Sequence, residues 1–214
     1  MPKPTALTID RHIRVAHASP GRPAPLTVER ARAVTPPDED ADAVTAVLRG
    51  DVEAYHTLVR RYQSRLFRYA LRMTDDGDVA ADLVQMSLIR GFERLQQCRD
   101  PGRFGSWVLA ILANECRHAL RRQREHLPID DRRVTSVAGS DSPSSLVEQH
   151  ELAILLRRAL RCLPVQQREA FLLHHAEGLS YEQMVAMTRA SVAALKQRVH
   201  RARESMSVLL EKVR

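Results

Sequence analysis

Residues 179–203 read LSYEQMVAMTRASVAALKQRVHRAR. Ser180 is placed to cap a short helix, with Gln183 at the capping-box position three residues on. That helix stops at Thr188-Arg189-Ala190, and Ser191 can cap the next. Helix, three-residue turn, helix is the helix-turn-helix plan, whose second helix enters the DNA major groove. The predicted buried face of that second helix is Val192, Leu195, Val199, Ala202 and Met206. Its opposite face carries Lys196, Gln197, His200, Arg201 and Arg203, and residues 188–214 hold seven Lys/Arg against two Glu. Gln and Arg suit base edges, while Lys and Arg suit phosphates. Taken alone, the same face is also what a solvated terminal helix presents.

Working back toward the N-terminus, helical periodicity runs from Leu146 to about Cys162, where Leu163-Pro164 interrupts it. Shorter helical segments follow at about 166–176, 180–188 and 191–212. Residues 125–145 are polar and contain Gly, Pro and Ser, and read as a linker. Ahead of them lie three more helical stretches. The first carries Tyr55, Leu58, Val59, Tyr62, Leu66, Tyr69, Ala70 and Met73 at helical spacing. Thr74-Asp75-Asp76-Gly77 breaks it. A second runs from Asp78 to about Cys98 with Val79, Leu83, Val84, Leu88, Phe92 and Leu95 inward. Arg99-Asp100-Pro101-Gly102 ends that one, and Ser106 is the expected N-cap of a third helix reaching about Arg124. No stretch alternates as a strand would. The fold class is therefore all-α: two small helical domains, 42–124 and 146–214, joined by the 125–145 linker. Residues 1–41 hold seven of the eleven prolines and have no sustained hydrophobic period, which predicts a poorly ordered extension.

Composition bounds the function. The chain has 214 residues, a formal net charge of +7 and 4% aromatic residues. The excess base makes a polyanionic partner plausible. Over 1–43 six basic and six acidic residues cancel, so the excess lies further along. Five arginines fall within 60–72 (Arg60, Arg61, Arg65, Arg68, Arg72). Arg117, His118, Arg121, Arg122 and Arg124 follow with no acid among residues 117–124. Cys98, Cys116 and Cys162 are scattered, which argues against a disulfide framework and for a reducing compartment. The longest apolar run, Trp107–Ala113, is far short of a membrane span, so no membrane insertion is expected. No phosphate loop, GxSxG or HExxH motif occurs, and no catalytic residue, metal site or cofactor is expected. His174-His175 point about 100° apart on a helix, unlike the i, i+4 pair of helical metal sites.

Three segments carry a family resemblance. DVEAYHTLVRRYQSRLFRYALRM, DVAADLVQMSLIRGFERL and PGRFGSWVLAILANECRHALRR resemble region 2 of the extracytoplasmic-function (ECF) group of bacterial RNA polymerase sigma factors. ALRCLPVQQREAFLLHHAEGLSYEQMVAMTRASVAALKQRVHRARE resembles region 4 of the same group. Together they cover about 42–210 in the family's order.

The resemblance implies that Asp82, Leu83, Gln85, Leu88, Arg90 and Phe92 lie on the helix that grips the clamp of the largest polymerase subunit. Met86 stands where the family usually has an acid. It implies that Asn114 lies near the pocket capturing a flipped base of the minus-ten element, with Arg117, Arg121 and Arg122 along the backbone upstream. Core packing is the expected role of Trp107. Ser191, Lys196, Gln197, His200 and Arg201 would read the minus-thirty-five element, and Arg189 takes a turn position often held by Gly. The implied partners are core RNA polymerase, through that clamp and the flap of the second-largest subunit, and promoter DNA, both double-stranded and locally melted. An anti-sigma protein is a further partner the resemblance admits, and the implied location is the cytoplasm.

The 21 linker residues can reach roughly 70–75 Å, enough for two promoter elements about 17 base pairs, or on the order of 58 Å, apart. A free-standing helix-turn-helix regulator is the alternative, although such regulators pair the DNA module with a dimerisation or ligand domain that the first half does not show. A nucleic-acid enzyme is a third and weaker reading.

Overall fold

The computed structural model describes residues 37–126 and 145–211. Every regular element among them is helical. They divide into two units, 37–115 and 116–211.

The N-terminal unit is built on α2 (Glu53–Thr74). Its apolar stripe buries Tyr55, Leu58, Tyr62, Leu66, Tyr69, Ala70 and Met73 on one face, as the spacing predicts. Leu58, Leu66 and Met73 contribute roughly 1.5–3 kcal/mol each. The helix ends where Asp75 adopts the left-handed conformation (φ 59°) and its N–H bonds the Leu71 carbonyl at 2.8 Å, one of the few residue types that tolerates that geometry. Asp76 then caps α3 (Gly77–Glu93), accepting from the N–H groups of Asp78 and Val79 at 3.0 Å each. α3 buries Ala80, Leu83, Val84, Ser87, Leu88 and Gly91. The Tyr55 hydroxyl donates to the Leu88 carbonyl at 2.6 Å, and its ring meets Phe92 edge-on at 5.1 Å. A side chain at Gly91 would press on that hydroxyl.

Three expectations need correction here. α3 stops at Glu93, and a 3₁₀ turn over Leu95–Gln97 replaces its last turn. Val79, expected inward, is exposed in the first turn of α3, where its N–H is held by the Asp76 cap. Ser106 is not an N-cap. A 3₁₀ turn at Pro101–Arg103 runs straight into α4 (Phe104–His126), which places Phe104, Val108, Leu109, Leu112 and Ala113 in the core.

The N-terminal boundary also moves. α1 (Pro37–Leu48) starts inside the stretch predicted to be poorly ordered, while residues 1–36 lie outside the described residues. α1 buries Val44 and, unusually, the carboxylate of Asp40. Arg61 and the Tyr62 hydroxyl, both on α2, donate to Asp40, and Arg61 also pairs with Glu39 at 2.7 Å. Buried charge is tolerated when paired and hydrogen-bonded. The Tyr62 ring packs against Phe104 at 5.6 Å and lies so close to Gly105 that a methyl there would overlap it.

The C-terminal unit contains α5 (Ser145–Cys162), α6 (Val165–Phe171), α7 (Tyr181–Thr188) and α8 (Val192–Glu211). Its core includes Leu160, Leu163, Leu172, Leu173, Met184, Leu195, Val199, Ala202 and Met206. The buried Arg168 donates to the carbonyls of Arg161 at 2.8 Å and Leu163 at 3.3 Å. It thereby satisfies acceptors that the end of α5 leaves unpaired. α6 passes into a π-helical turn, Leu172–Ala176, before Gly178 (φ +71°) reverses the chain. The 125–145 linker falls outside the described residues except at its ends.

Candidate nucleic-acid and polymerase interface

The helix-turn-helix begins with the expected capping box. Ser180 N–H donates to Gln183 Oε1 at 2.8 Å and Gln183 N–H to Ser180 Oγ at 3.3 Å. α7 ends at Arg189, whose φ of 58° is the left-handed geometry that favours glycine. Ser191 Oγ accepts from the Ala194 N–H at 3.2 Å and opens α8. Leu195, Val199, Ala202 and Met206 are buried and Val192 is half-buried. Ser191, Lys196, Gln197, His200, Arg201 and Arg203 are all exposed. His200 pairs with Glu204 one turn on, at 3.2 Å, and the Lys196 ammonium sits 5.7 Å from the centre of the Tyr181 ring.

On α4, the exposed or half-exposed residues Trp107, Ile111, Asn114, His118 and Arg121 recur at the helical repeat and share one face. Trp107 is half-buried, with its ring centre 6.0 Å from that of Phe104, so it is only partly core. Arg122 is exposed beside this stripe.

Two ion pairs, one in each unit, hold charged side chains in place. Arg90 of α3 bonds the largely buried Glu115. In the C-terminal unit Arg117 donates to Glu169 Oε1 at 3.0 Å. Burial pushes the Glu169 carboxyl above the usual carboxylate range, against the pull of Arg117 and Arg198. Arg117, Arg121, Gln197 and Arg201 line one cavity of about 660 Å³ within that unit.

The six α3 candidates divide by face. Asp82, Gln85 and Arg90 line a shallow depression with Met86, Ile89 and Glu93. Leu83 and Leu88 point into the core, and Phe92 is half-buried. These three position the helix and leave its outer face to any partner. Met86 and Val79 are exposed on α3, a signal the inward assignment of Val79 missed.

His174 and His175 have ring centres 4.9 Å apart. His174 Nδ1–H donates to the Leu179 carbonyl at 3.0 Å, and burial, with His174 and Arg203 adding to it, lowers the His175 pKa. Among the described residues no group of three or more His, Cys, Asp or Glu is placed to hold a metal. No helix among them is long and apolar enough to cross a membrane.

Residues 58–126 match the sigma-70 region 2 family and residues 153–206 the sigma-70 region 4 family. The chain is 30% identical over 176 residues to the ECF RNA polymerase sigma-E factor of Escherichia coli strain K12, covering 78% of this chain and 92% of that protein. It is 32% identical over 186 residues to the ECF RNA polymerase sigma factor SigE of Mycolicibacterium smegmatis, covering 84% and 71% respectively. Two solved structures share its fold. One is CnrH in complex with the cytosolic domain of CnrY (TM-score 0.61, 26% identity, 82% of this chain and 99% of that one). The other is the sigma factor RpoE with the anti-sigma factor NepR from Bartonella quintana (TM-score 0.60, 29% identity, 76% and 100%). With regions 2 and 4 in order and this extent of identity, the chain belongs to the ECF family of RNA polymerase sigma factors.

Proposed function

We propose that this sigma factor directs core RNA polymerase to promoters by reading two DNA elements, one with each region. Asp82, Gln85 and Arg90, with Met86 in place of the family's usual acid, form the surface of α3 that meets the polymerase clamp. Asn114 takes up a flipped base of the minus-ten element, and Arg117, Arg121 and Arg122 follow the phosphates upstream. Ser191, Lys196, Gln197, His200 and Arg201 meet the minus-thirty-five element in the major groove. The chain makes and breaks no bonds; the polymerase does, in the cytoplasm.

The observation that carries this reading is the division of α8. Leu195, Val199, Ala202 and Met206 are buried while five polar side chains, Lys196, Gln197, His200, Arg201 and Arg203, stand in solvent on a helix opened by a capped turn. Run-off transcription with core polymerase on a promoter library tests it. Transcripts should start downstream of two shared elements, and Arg201→Ala should relax selection at the upstream one only. Absence of core binding at physiological salt sinks the proposal and leaves the free-standing regulator.

The solved complex of RpoE with the anti-sigma factor NepR favours an anti-sigma partner for this chain too. Co-purification with a tagged copy from its own host tests that.

A further inference from the structure

The Lys196 ammonium is exposed and carries a long flexible stem, whose ordering costs roughly 1.5–2 kcal/mol of side-chain entropy. In this fold it is already held. Its Nζ lies 5.7 Å from the centroid of the Tyr181 ring, within the range at which an aromatic face attracts a cation. Tyr181 is itself fixed from two sides. It is the first residue of α7, enclosed by the reciprocal Ser180–Gln183 capping box. Its ring is stacked on His174, with centroids 4.6 Å apart and planes within 21°. His174 in turn belongs to the π-helical turn Leu172–Ala176 and is tethered through Nδ1–H to the Leu179 carbonyl at 3.0 Å. A continuous stack therefore runs from the turn before the helix-turn-helix, through one aromatic ring, to a side chain on the recognition helix. Glu182, the next residue on α7, is exposed and attracts Lys196 as well.

We propose that Tyr181 is a positioning residue for promoter reading: its ring, backed by His174, pre-orders Lys196 for contact with the upstream DNA element. This rests on the reading of α8 as the minus-thirty-five helix. It adds a role for two residues outside α8. Pre-ordering strengthens binding because less side-chain freedom is lost when the contact forms. The ring does not touch DNA for this purpose, so its effect should vanish once Lys196 is gone.

The test is a double-mutant cycle on the full chain with core polymerase. Dissociation constants are measured on the promoter selected by run-off transcription. Tyr181→Leu should raise Kd about two- to fivefold, the range for an exposed to partly desolvated cation–aromatic contact. It should cause no further loss in a Lys196→Met background. Tyr181→Phe and Tyr181→Trp, which keep an aromatic face, should retain the Lys196 contribution, and they serve if Tyr181→Leu does not fold. Equal losses from Tyr181→Leu with and without Lys196 overturn the proposal, as does tighter binding, which would mean that the ring withholds Lys196 from DNA. Loss of the Lys196 contribution in both aromatic variants overturns it too. A wild-type chain that forms no promoter complex overturns the underlying sigma assignment instead, and that is seen before any variant is compared.

Discussion

Replacing Asp40 by Ala should cost the N-terminal unit about 3 kcal/mol, the lower end of what removing one partner of a buried ion pair costs. The carboxylate is 2% exposed and accepts from Arg61 and from the Tyr62 hydroxyl. Its loss removes the carboxylate to which the hydroxyl of Tyr62, a residue only 6% exposed, donates, a penalty of about 1–3 kcal/mol. Arg61 suffers less, because its side chain is 22% exposed and keeps Glu39 at 2.7 Å; hence the lower end of the range. Asp40→Asn keeps an acceptor but not the charge, and should lose about 1–2 kcal/mol. Trp107 is the chain's single tryptophan and lies in this unit, so urea unfolding followed by its fluorescence reports the unit selectively. A domain of this size should melt roughly 12–24 °C lower for a 3 kcal/mol loss. A loss below about 1 kcal/mol for Asp40→Ala would show that α1 is not held by this carboxylate. Truncation at residue 41, the boundary read from the sequence, removes the same group and should destabilise to at least the same degree.

Gly105→Ala should destabilise the same unit by about 1–3 kcal/mol, since its methyl would overlap the Tyr62 ring; urea midpoints compare it with wild type. Arg189→Gly should be more stable than Arg189→Ala by about 1 kcal/mol in thermal unfolding, because φ is 58° there and alanine keeps the left-handed strain. Glu169 should give the C-terminal unit a pH-dependent stability. Its carboxyl lies above the ordinary value near 4.5 in the fold, so the folded state binds the proton more tightly. That contribution is complete below 4.5 and is lost as pH rises through the folded value. Glu169→Gln should remove this part of the pH profile in denaturant titrations. An unchanged profile refutes the assignment.

How much of this was legible beforehand depends on whether the signal was local. The capping box at Ser180, the Ser191 cap and the buried stripe of α8 depend on residues three or four apart, and all appear as the spacing predicts, except that Val192 is only half-buried. The α2 stripe follows for the same reason. α1 was missed because its stability comes from α2: an Asp in a Pro-rich, acidic stretch carries no mark of the Arg61 and Tyr62 that receive it. Val79 and Ser106 were misassigned because both helices start earlier than expected: Asp76 caps α3 ahead of Gly77, and the 3₁₀ turn at Pro101–Arg103 runs into α4 at Phe104.

The sequence by itself determined the helical class, the two regions and the polar face of α8, since periodicity, capping and family motifs are written in neighbouring residues. Only the tertiary structure decided which of the α3 candidates remain outside, that Leu83 and Leu88 face the core, and that Lys196 rests on Tyr181. Those outcomes depend on which side chains meet across helices distant in the chain. No local pattern encodes a contact between residues whose proximity the fold itself creates.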